Sequence, residues 1–426
     1  MSELALLGGQ PVISGPLPPY RSLGEAEEEA VRDVVRSGCL SGFFGSPGPE
    51  FLGGPKVQEF EAAWAKRYGV KHAVSVNSAT SGLIAAMGAI GLGPGDEVIL
   101  PPWTMSATAM APLIYGGIPV FADIEDETFC IDPGAVAAAI GPKTKAILAV
   151  NLFGHPAPLA KLRAIADDKG LALVEDSAQA PLANEDGRLA GTVGDIGVYS
   201  LNFHKHIHAG EGGVCVTDDD GLATRLRMIR NHGENVTEEL AGGDIANMVG
   251  FNFRMTELSA AIALVQLADI ENHVGRREAV ARALSDGTRD LEGWTAPTER
   301  DGCRHNYYEW VARFDAQAVG VSRELFSKAL TAEGFPHFTG YVAPLYQLPL
   351  FRQRKAIGKD GYPFTLTERQ YEPGMCPVTE RLHENEAVLF EPCAFAVDDA
   401  LAQKLVEAVR KVHDNRDLLN AAGGKD

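Results

Sequence analysis

The chain has 426 residues, 45% of them hydrophobic, and a formal net charge of -19. That length exceeds one simple core and implies two domains, while the acidic balance argues against nucleic acid or an anionic membrane as partner. No apolar run reaches the roughly 18 residues of a membrane span, and "MSELALLGGQPV" has no basic segment ahead of a long apolar stretch. Six scattered cysteines (Cys39, Cys130, Cys215, Cys303, Cys376 and Cys393) form no CxxC pair and read as reduced thiols. A cytoplasmic protein is the expectation.

Residues 1–54 read as an N-terminal arm plus one helix, ending in the Gly/Pro-rich loop "GFFGSPGPEFLGGP". Residues 55–275 read as a large domain. Its apolar runs are "HAVSV", "EVILP", "IPVFAD", "AILAV", "LALVED", "GVYSL" and "GVCVT". Each is short and nearly continuous, as in strands buried on both faces. Helical segments such as "SGLIAAMGAIGLGPGD" and "PLAKLRAIADDKG" lie between the earlier runs. Strand–helix alternation predicts an α/β fold with a mostly parallel seven-stranded sheet. The last two runs are joined only by "LNFHKHIHAGEGG", so the sheet is expected to end differently there.

"MTELSAAIALVQLADIENHV" reads as one long helix leaving the large domain, with Leu258, Ile262 and Val265 on one face. Residues 276–426 read as a smaller α/β domain. It contains the Pro/Tyr-rich loop "GYVAPLYQLPLF" and a closing helix with Leu401, Leu405, Val409 and Val412 on one stripe.

Ligands of open α/β sheets gather at the C-terminal strand ends. "NSATSG" opens a helix after the first run, and small Ala79 and Thr80 would let an anion approach the backbone N–H groups. Serine and threonine cap helices everywhere, so this block alone is weak. "EDSAQA" puts Asp176 at a strand end, with Gln179 one helical turn on. Such an aspartate is an ordinary N-cap or a partner for a cationic ring nitrogen. In "SLNFHKHIHAGEGG", Lys205 lies on an apolar strand–loop, where desolvation would favour a neutral, nucleophilic amine. An exposed loop lysine is the plainer alternative. His204, His206 and His208 alternate, and on a strand they would share a face as metal ligands do. No acidic or thiol companion sits at a motif spacing, and "AGEGG" suggests a loop, so no metal is assigned.

An anion cradle, a carboxylate and a lysine together fit pyridoxal 5'-phosphate, abbreviated PLP. The sequence also resembles the DegT-type, fold-type I, PLP-dependent sugar aminotransferases over nearly its whole length. The resemblance runs through "ALLGGQPV", "GGPKVQEFEAAWAKRYGVKHAVSVNSATSGL", "GPGDEVILPPWTMSATA", "VEDSAQA", "GDIGVYSLNFHKHIHAGEGG", "RNHG", "GFNFRMTELSAAIALVQL" and "CPVTERL". It implies that Lys205 holds the cofactor covalently and Asp176 pairs with the ring nitrogen. Gln179 would lie near the ring phenolate. Ser200, Ala79 and Thr80 would hold the phosphate, with Asn252 reaching it from the neighbouring subunit of a homodimer. The usual ring-stacking aromatic is replaced by Met105, so either Met105 or Trp103 covers the cofactor. Asn202 stands where the glutamine:inosose branch carries glutamine, and that branch lacks the flanking histidines.

The implied activity is ping-pong transfer of an amino group from glutamate or glutamine to a cyclic keto-sugar or inosose. The branch that aminates inososes in aminoglycoside antibiotic biosynthesis looks most similar. His204, Arg227, Arg230, His232 and Tyr341 are candidate substrate contacts, with surface or core roles the alternative for Arg227, Arg230, His232 and Tyr341. The alternatives are a keto-sugar dehydratase, which carries histidine in place of the lysine, and a non-catalytic regulatory protein of this fold.

Overall fold

The computed structural model describes residues 3–240, 242 and 245–423. Seven strands build the large sheet: β1 (His72–Val76), β2 (Glu97–Leu100), β3 (Ile118–Phe121), β4 (Thr144–Val150), β5 (Ala172–Asp176), β6 (Ile196–Ser200) and β7 (Gly213–Thr217). The spatial order is β1-β7-β6-β5-β4-β2-β3. Neighbouring strands run parallel except β7, which is antiparallel to β1 and to β6. The expected exception therefore falls on the strand reached through the histidine-rich stretch. A link of that length with no helix in it can return the chain antiparallel but cannot make a crossover.

The strands are apolar on both faces because helices cover both. Val74, Val98, Leu148, Val174 and Val198 join one core, and Ile99, Ile147, Ala149 and Leu173 join another. The α-helices up to residue 230 are α1 (Glu25–Ser37), α2 (Pro55–Tyr68), α3 (Ala79–Ala89), α4 (Ala107–Ile114), α5 (Pro133–Ala139), α6 (Leu159–Lys169) and α7 (Asp220–Arg230). Helix α3 begins where Ser78 caps the Ser81 N–H, and α6 ends at Gly170 in the left-handed conformation.

The expected long helix is broken. It forms α8 (Glu257–Ala268) and α9 (Ile270–Thr288), with Asp269 (φ -105°, ψ 12°) between them. Leu258, Ile262 and Val265 are half-buried, and the buried positions of α8 are instead Glu257, Ala260, Ala261, Ala263, Gln266 and Leu267. Small alanines allow closer helix packing than the branched side chains do.

The last part of the chain contributes a four-stranded antiparallel sheet of β8 (Trp294–Thr295), β9 (Trp310–Phe314), β10 (Phe338–Thr339) and β11 (Ala387–Phe390), in the order β8-β9-β11-β10. Helices α10 (Arg323–Ala332) and α11 (Asp399–Asp414) pack against it, and Leu405, Val409 and Val412 are fully buried. Leu4, Ile13 and Leu17 of the arm join the same core, and the Ala5 and Val12 N–H groups donate to the Glu333 carboxylate. Between β10 and β11 the chain returns to the large sheet. There Leu345, Tyr346, Phe351, Phe364 and Tyr371 are buried with Phe121. Among the described residues no helix is long and apolar enough to cross a membrane.

Candidate active site

Asp176 ends β5 and is buried. Its Oδ2 accepts from the Thr108 hydroxyl at 2.8 Å, and Oδ1 from the Ala178 N–H at 3.1 Å. Burial pushes the carboxyl up, and these two donors and the Lys205 charge pull it back. The preceding Glu175 points to the other side of the sheet, as strand alternation demands. It accepts N–H groups from Gly191, Val193 and Gly194, a purely structural duty.

Gln179 is oriented from both ends. Its Oε1 accepts from the Phe153 N–H at 2.6 Å, and its Nε2 donates to the Tyr341 hydroxyl at 3.0 Å. Tyr341 therefore stands at the site, held in the left-handed region at φ 51°.

Lys205 follows β6 on a non-repetitive loop rather than on a strand. Its N–H donates to Asn202 O at 2.9 Å, closing a turn. The side chain is only 9% exposed, and Nζ lies 4.2 Å from the centre of the Tyr308 ring. Desolvation lowers the ammonium to about 8, against the opposing charges of Asp176, Glu309 and Glu391. That is the chemistry a nucleophilic lysine needs: a substantial neutral fraction near neutral pH.

The anion cradle lies at the same sheet edge. Ala79 and Thr80 open α3, whose first-turn N–H groups have no partner within the helix. Ser200 ends β6 and pairs with Gly213 of β7. A Cβ at Gly213 would sit 2.7 Å from the Ala79 nitrogen, so glycine there keeps the helix mouth open. These donors suit a phosphate, Asp176 suits a protonated ring nitrogen, and Lys205 suits an aldehyde. The residues present fit PLP.

Trp103 and Met105 separate cleanly. Trp103 is fully buried, donates to Val342 O at 2.9 Å and meets Phe129, Phe153 and Tyr341 edge-on. Met105 is 53% exposed, three residues before Thr108. Trp103 is thus a core residue, committed to packing.

The histidines do not form a common face, because the loop abolishes the strand periodicity. His206 is fully buried and bonds Asn306 O through Nε2 at 2.9 Å, and burial lowers it to about 3. His208 bonds Ser22 Oγ at 2.8 Å. His204 is half-buried against Phe203, and burial lowers it to about 4. No cluster of metal-ligating side chains occurs among the described residues.

Other candidates lie elsewhere. Arg230 is fully buried, paired with Glu61 at 2.6 Å and donating to Ser75 O at 3.0 Å. Arg227 approaches His72 at the start of β1, the opposite edge of the sheet from Asp176. Arg230 takes the core role that was its alternative, and Arg227 lies away from Asp176. His232 is half-exposed, 3.8 Å from Glu234, and its N–H donates to Phe251 O. Asn252 is exposed, and its backbone carbonyl accepts from the Asn77 side chain.

Thr108, Tyr308, Glu309 and Glu391 escaped the sequence reading. Thr108 was within reach, since it follows Thr104 by one helical turn in a block already identified. The other three arrive from the last part of the chain with no motif of their own.

The model of the DegT/DnrJ/EryC1/StrS aminotransferase family matches residues 23–410. A putative L-glutamine:3-amino-2,3-dideoxy-scyllo-inosose aminotransferase of Streptoalloteichus tenebrarius is 34% identical, covering 98% of this chain and 99% of its own. The L-glutamine:2-deoxy-scyllo-inosose aminotransferase of Streptomyces kanamyceticus is 33% identical, covering 99% of each. The crystal structure of DesI in the presence of its TDP-sugar product matches with a TM-score of 0.81 and 32% identity, over 99% of both chains.

Proposed function

Since the chain belongs to the DegT/DnrJ/EryC1/StrS aminotransferase family, we propose that it uses PLP to carry an amino group from glutamate or glutamine to a cyclic keto-sugar or inosose, in two alternating half-reactions. The observation that carries this is Lys205: a buried lysine lowered to about 8, on the sheet edge that also presents Asp176 and the start of α3. PLP, when bound, supplies an aldehyde that links to a lysine amine and a ring that withdraws electrons from the substrate carbon.

The chain's own residues would do the rest. Thr108 and the Ala178 N–H hold the Asp176 carboxylate in one orientation, from which it keeps the ring nitrogen protonated. The Ala79 and Thr80 N–H groups and the Ser200 hydroxyl hold the phosphate. Gln179, fixed by Phe153 and Tyr341, takes the ring oxygen. Met105, left exposed, would be the side chain available to cover the ring by its thioether. Lys205 Nζ would bind the cofactor aldehyde and, with its amine near neutrality, would serve as the base that moves a proton at the substrate carbon.

The dehydratase alternative requires histidine at the lysine's place. Against it, His206 is committed to Asn306 O, and Lys205 is the side chain beside Asp176 in charge and burial. The homodimer reading draws support from exposed Phe203 beside Lys205, exposed Asn252, and the half-exposed stripe of Leu258, Ile262 and Val265.

The test is spectroscopic. PLP-loaded protein is titrated with glutamate and with glutamine, and the cofactor absorbance should be lost with at least one of them. 2-Deoxy-scyllo-inosose and 3-amino-2,3-dideoxy-scyllo-inosose then serve as acceptors that restore it. Borohydride reduction followed by peptide mapping should place the cofactor on Lys205. An unchanged spectrum with both donors, and a ketone consumed with loss of water, would establish the dehydratase instead.

A further inference from the structure

Among the described residues Lys205 Nζ makes no hydrogen bond or ion pair, and Asp176, Glu309 and Glu391 act on it through charge alone. The contact it makes is with the face of Tyr308, whose ring centre lies 4.2 Å away. A cation over an aromatic face is attracted by the ring quadrupole, most strongly where water is excluded. Both side chains are buried. The ring is fixed independently of the lysine, and fully buried Asn306 is the pivot. Asn306 Oδ1 accepts from the Tyr308 N–H at 3.2 Å, Nδ2 donates to Pro181 O at 2.8 Å, and its N–H donates to Gly154 O at 3.1 Å. Its carbonyl accepts from His206 Nε2 at 2.9 Å. The segment carrying Tyr308 is therefore tied to the loops after β4 and β5 and to the residue after Lys205. Gly154 sits at φ 95°, and a Cβ there would lie 1.8 Å from Asn306 Oδ1, so this close approach requires glycine.

The titratable groups around this ring leave it to the lysine. His204 and His206 lie at longer range, with ring centres 6.3 and 6.2 Å from that of Tyr308. Burial lowers them to about 4 and about 3, so neither is a competing cation near neutral pH. The Tyr308 hydroxyl is raised far above its ordinary range by burial, and the nearby Cys393 thiol is raised to about 11, so both stay neutral. Glu309 and Glu391 are raised by burial and, when ionised, favour the ammonium of Lys205. Of the basic groups around the ring, Lys205 is the one that changes charge near neutral pH.

We propose that Tyr308 is a positioning residue for the proton transfer: its ring face seats the free Lys205 amine and stabilises the ammonium formed when that amine takes the proton from the substrate carbon. The inference rests on the proposed function and adds a residue to it. In this step the carbon–hydrogen bond breaks and its electron pair stays on the substrate side. The proton goes to the Nζ lone pair, and the new positive charge appears over the ring. An ammonium held there is a stronger base in its neutral form than burial alone would leave it. It is also kept in place without a salt bridge that would lock it in the protonated state.

The test varies the ring face and nothing else. Tyr308→Phe keeps the face and removes the hydroxyl. A phenylalanine trifluorinated on the ring, placed at the same position, keeps shape and burial but drains the negative face. In the apoproteins, Lys205 is titrated by trace reductive methylation at graded pH, read by peptide mapping. Tyr308→Phe should titrate within about 0.3 pH unit of wild type, and the fluorinated variant about 1 unit lower. With PLP and the active donor, the acid limb of the kcat profile should move down in the fluorinated variant. The plateau above that limb should fall about threefold, because a weaker base takes the proton more slowly. Tyr308→Phe should keep both near wild type. A Lys205 titration that ignores fluorination overturns the proposal, as does a Tyr308→Phe that titrates like the fluorinated variant. A fall in kcat without a move in the titration shows that the ring only shapes the site, and also overturns it. Failure of the broader aminotransferase reading shows separately, as an unchanged cofactor spectrum with both donors, while the apoprotein titration is still read.

Discussion

The Thr108 hydroxyl donates to Asp176 Oδ2 at 2.8 Å, tying helix α4 to the end of β5 across 68 positions of sequence. The bond is buried and charge-assisted, so it fixes one carboxylate oxygen and lowers the cost of its burial. Thr108→Val keeps the shape and removes the donor. We expect kcat to fall about tenfold, with a shift in the pH at which the cofactor spectrum titrates, because Asp176 becomes harder to ionise. Asp176→Asn should lose about 100-fold or more. Steady-state kinetics and spectral pH titrations check both.

Lys205 carries a stability cost with a definite pH window. Its value in the folded protein, about 8, lies below its ordinary 10.5. Between these values the unfolded chain binds more protons, so this group makes the folded apoprotein gain stability as pH rises from about 8 to 10.5. Lys205→Met should therefore be more stable than wild type at pH 7, by about 1–3 kcal/mol. That gap should shrink through the same window. Urea denaturation of both apoproteins at several pH values measures it.

Arg230 and Glu61 form a fully buried pair that also holds the Ser75 hydroxyl and backbone. Removing one partner strands the other. Arg230→Met should cost about 3–5 kcal/mol in urea denaturation. The acceptor KM of the folded fraction should stay unchanged, since the pair lies beneath β1 and not at the site.

His206, the residue after Lys205, is fully buried and bonds the Asn306 carbonyl. His206→Ala should destabilise the protein by about 1–3 kcal/mol through the orphaned carbonyl and the cavity. Exhaustive chelation should leave activity and metal content unaltered, because the three histidines face three different neighbours. Elemental analysis before and after chelation reads the result.

Gly213→Ala would drive a Cβ to 2.7 Å from the Ala79 nitrogen, a backbone contact that cannot swing aside. The mouth of α3 should shift and the phosphate lose its donors. PLP affinity, followed by absorbance titration, should weaken about tenfold or more, while free pyridoxal, lacking the phosphate, should lose less.

Much of this was legible in the chain itself. Continuous apolar runs such as "HAVSV" and "GVCVT" became β1 and β7 without adjustment, because strands buried on both faces leave no room for polar residues. Asp176 and Lys205 stood out because a charged group next to a buried strand is costly unless something uses it. Arg230, a candidate substrate contact or core residue in the sequence, is structural, since a sequence cannot show that Glu61 lies 2.6 Å away.

The sequence by itself determined the α/β class, the order of strands and helices and the family blocks, and it singled out the lysine. Those follow from local periodicity, composition and fixed spacings. Only the tertiary structure decided that Trp103 is core while Met105 is exposed, that the three histidines diverge, and that one expected helix is two. It alone placed Tyr308, Glu309 and Glu391 around Lys205. Those residues lie between 103 and 186 positions from the lysine, and no local pattern encodes a meeting made by tertiary packing.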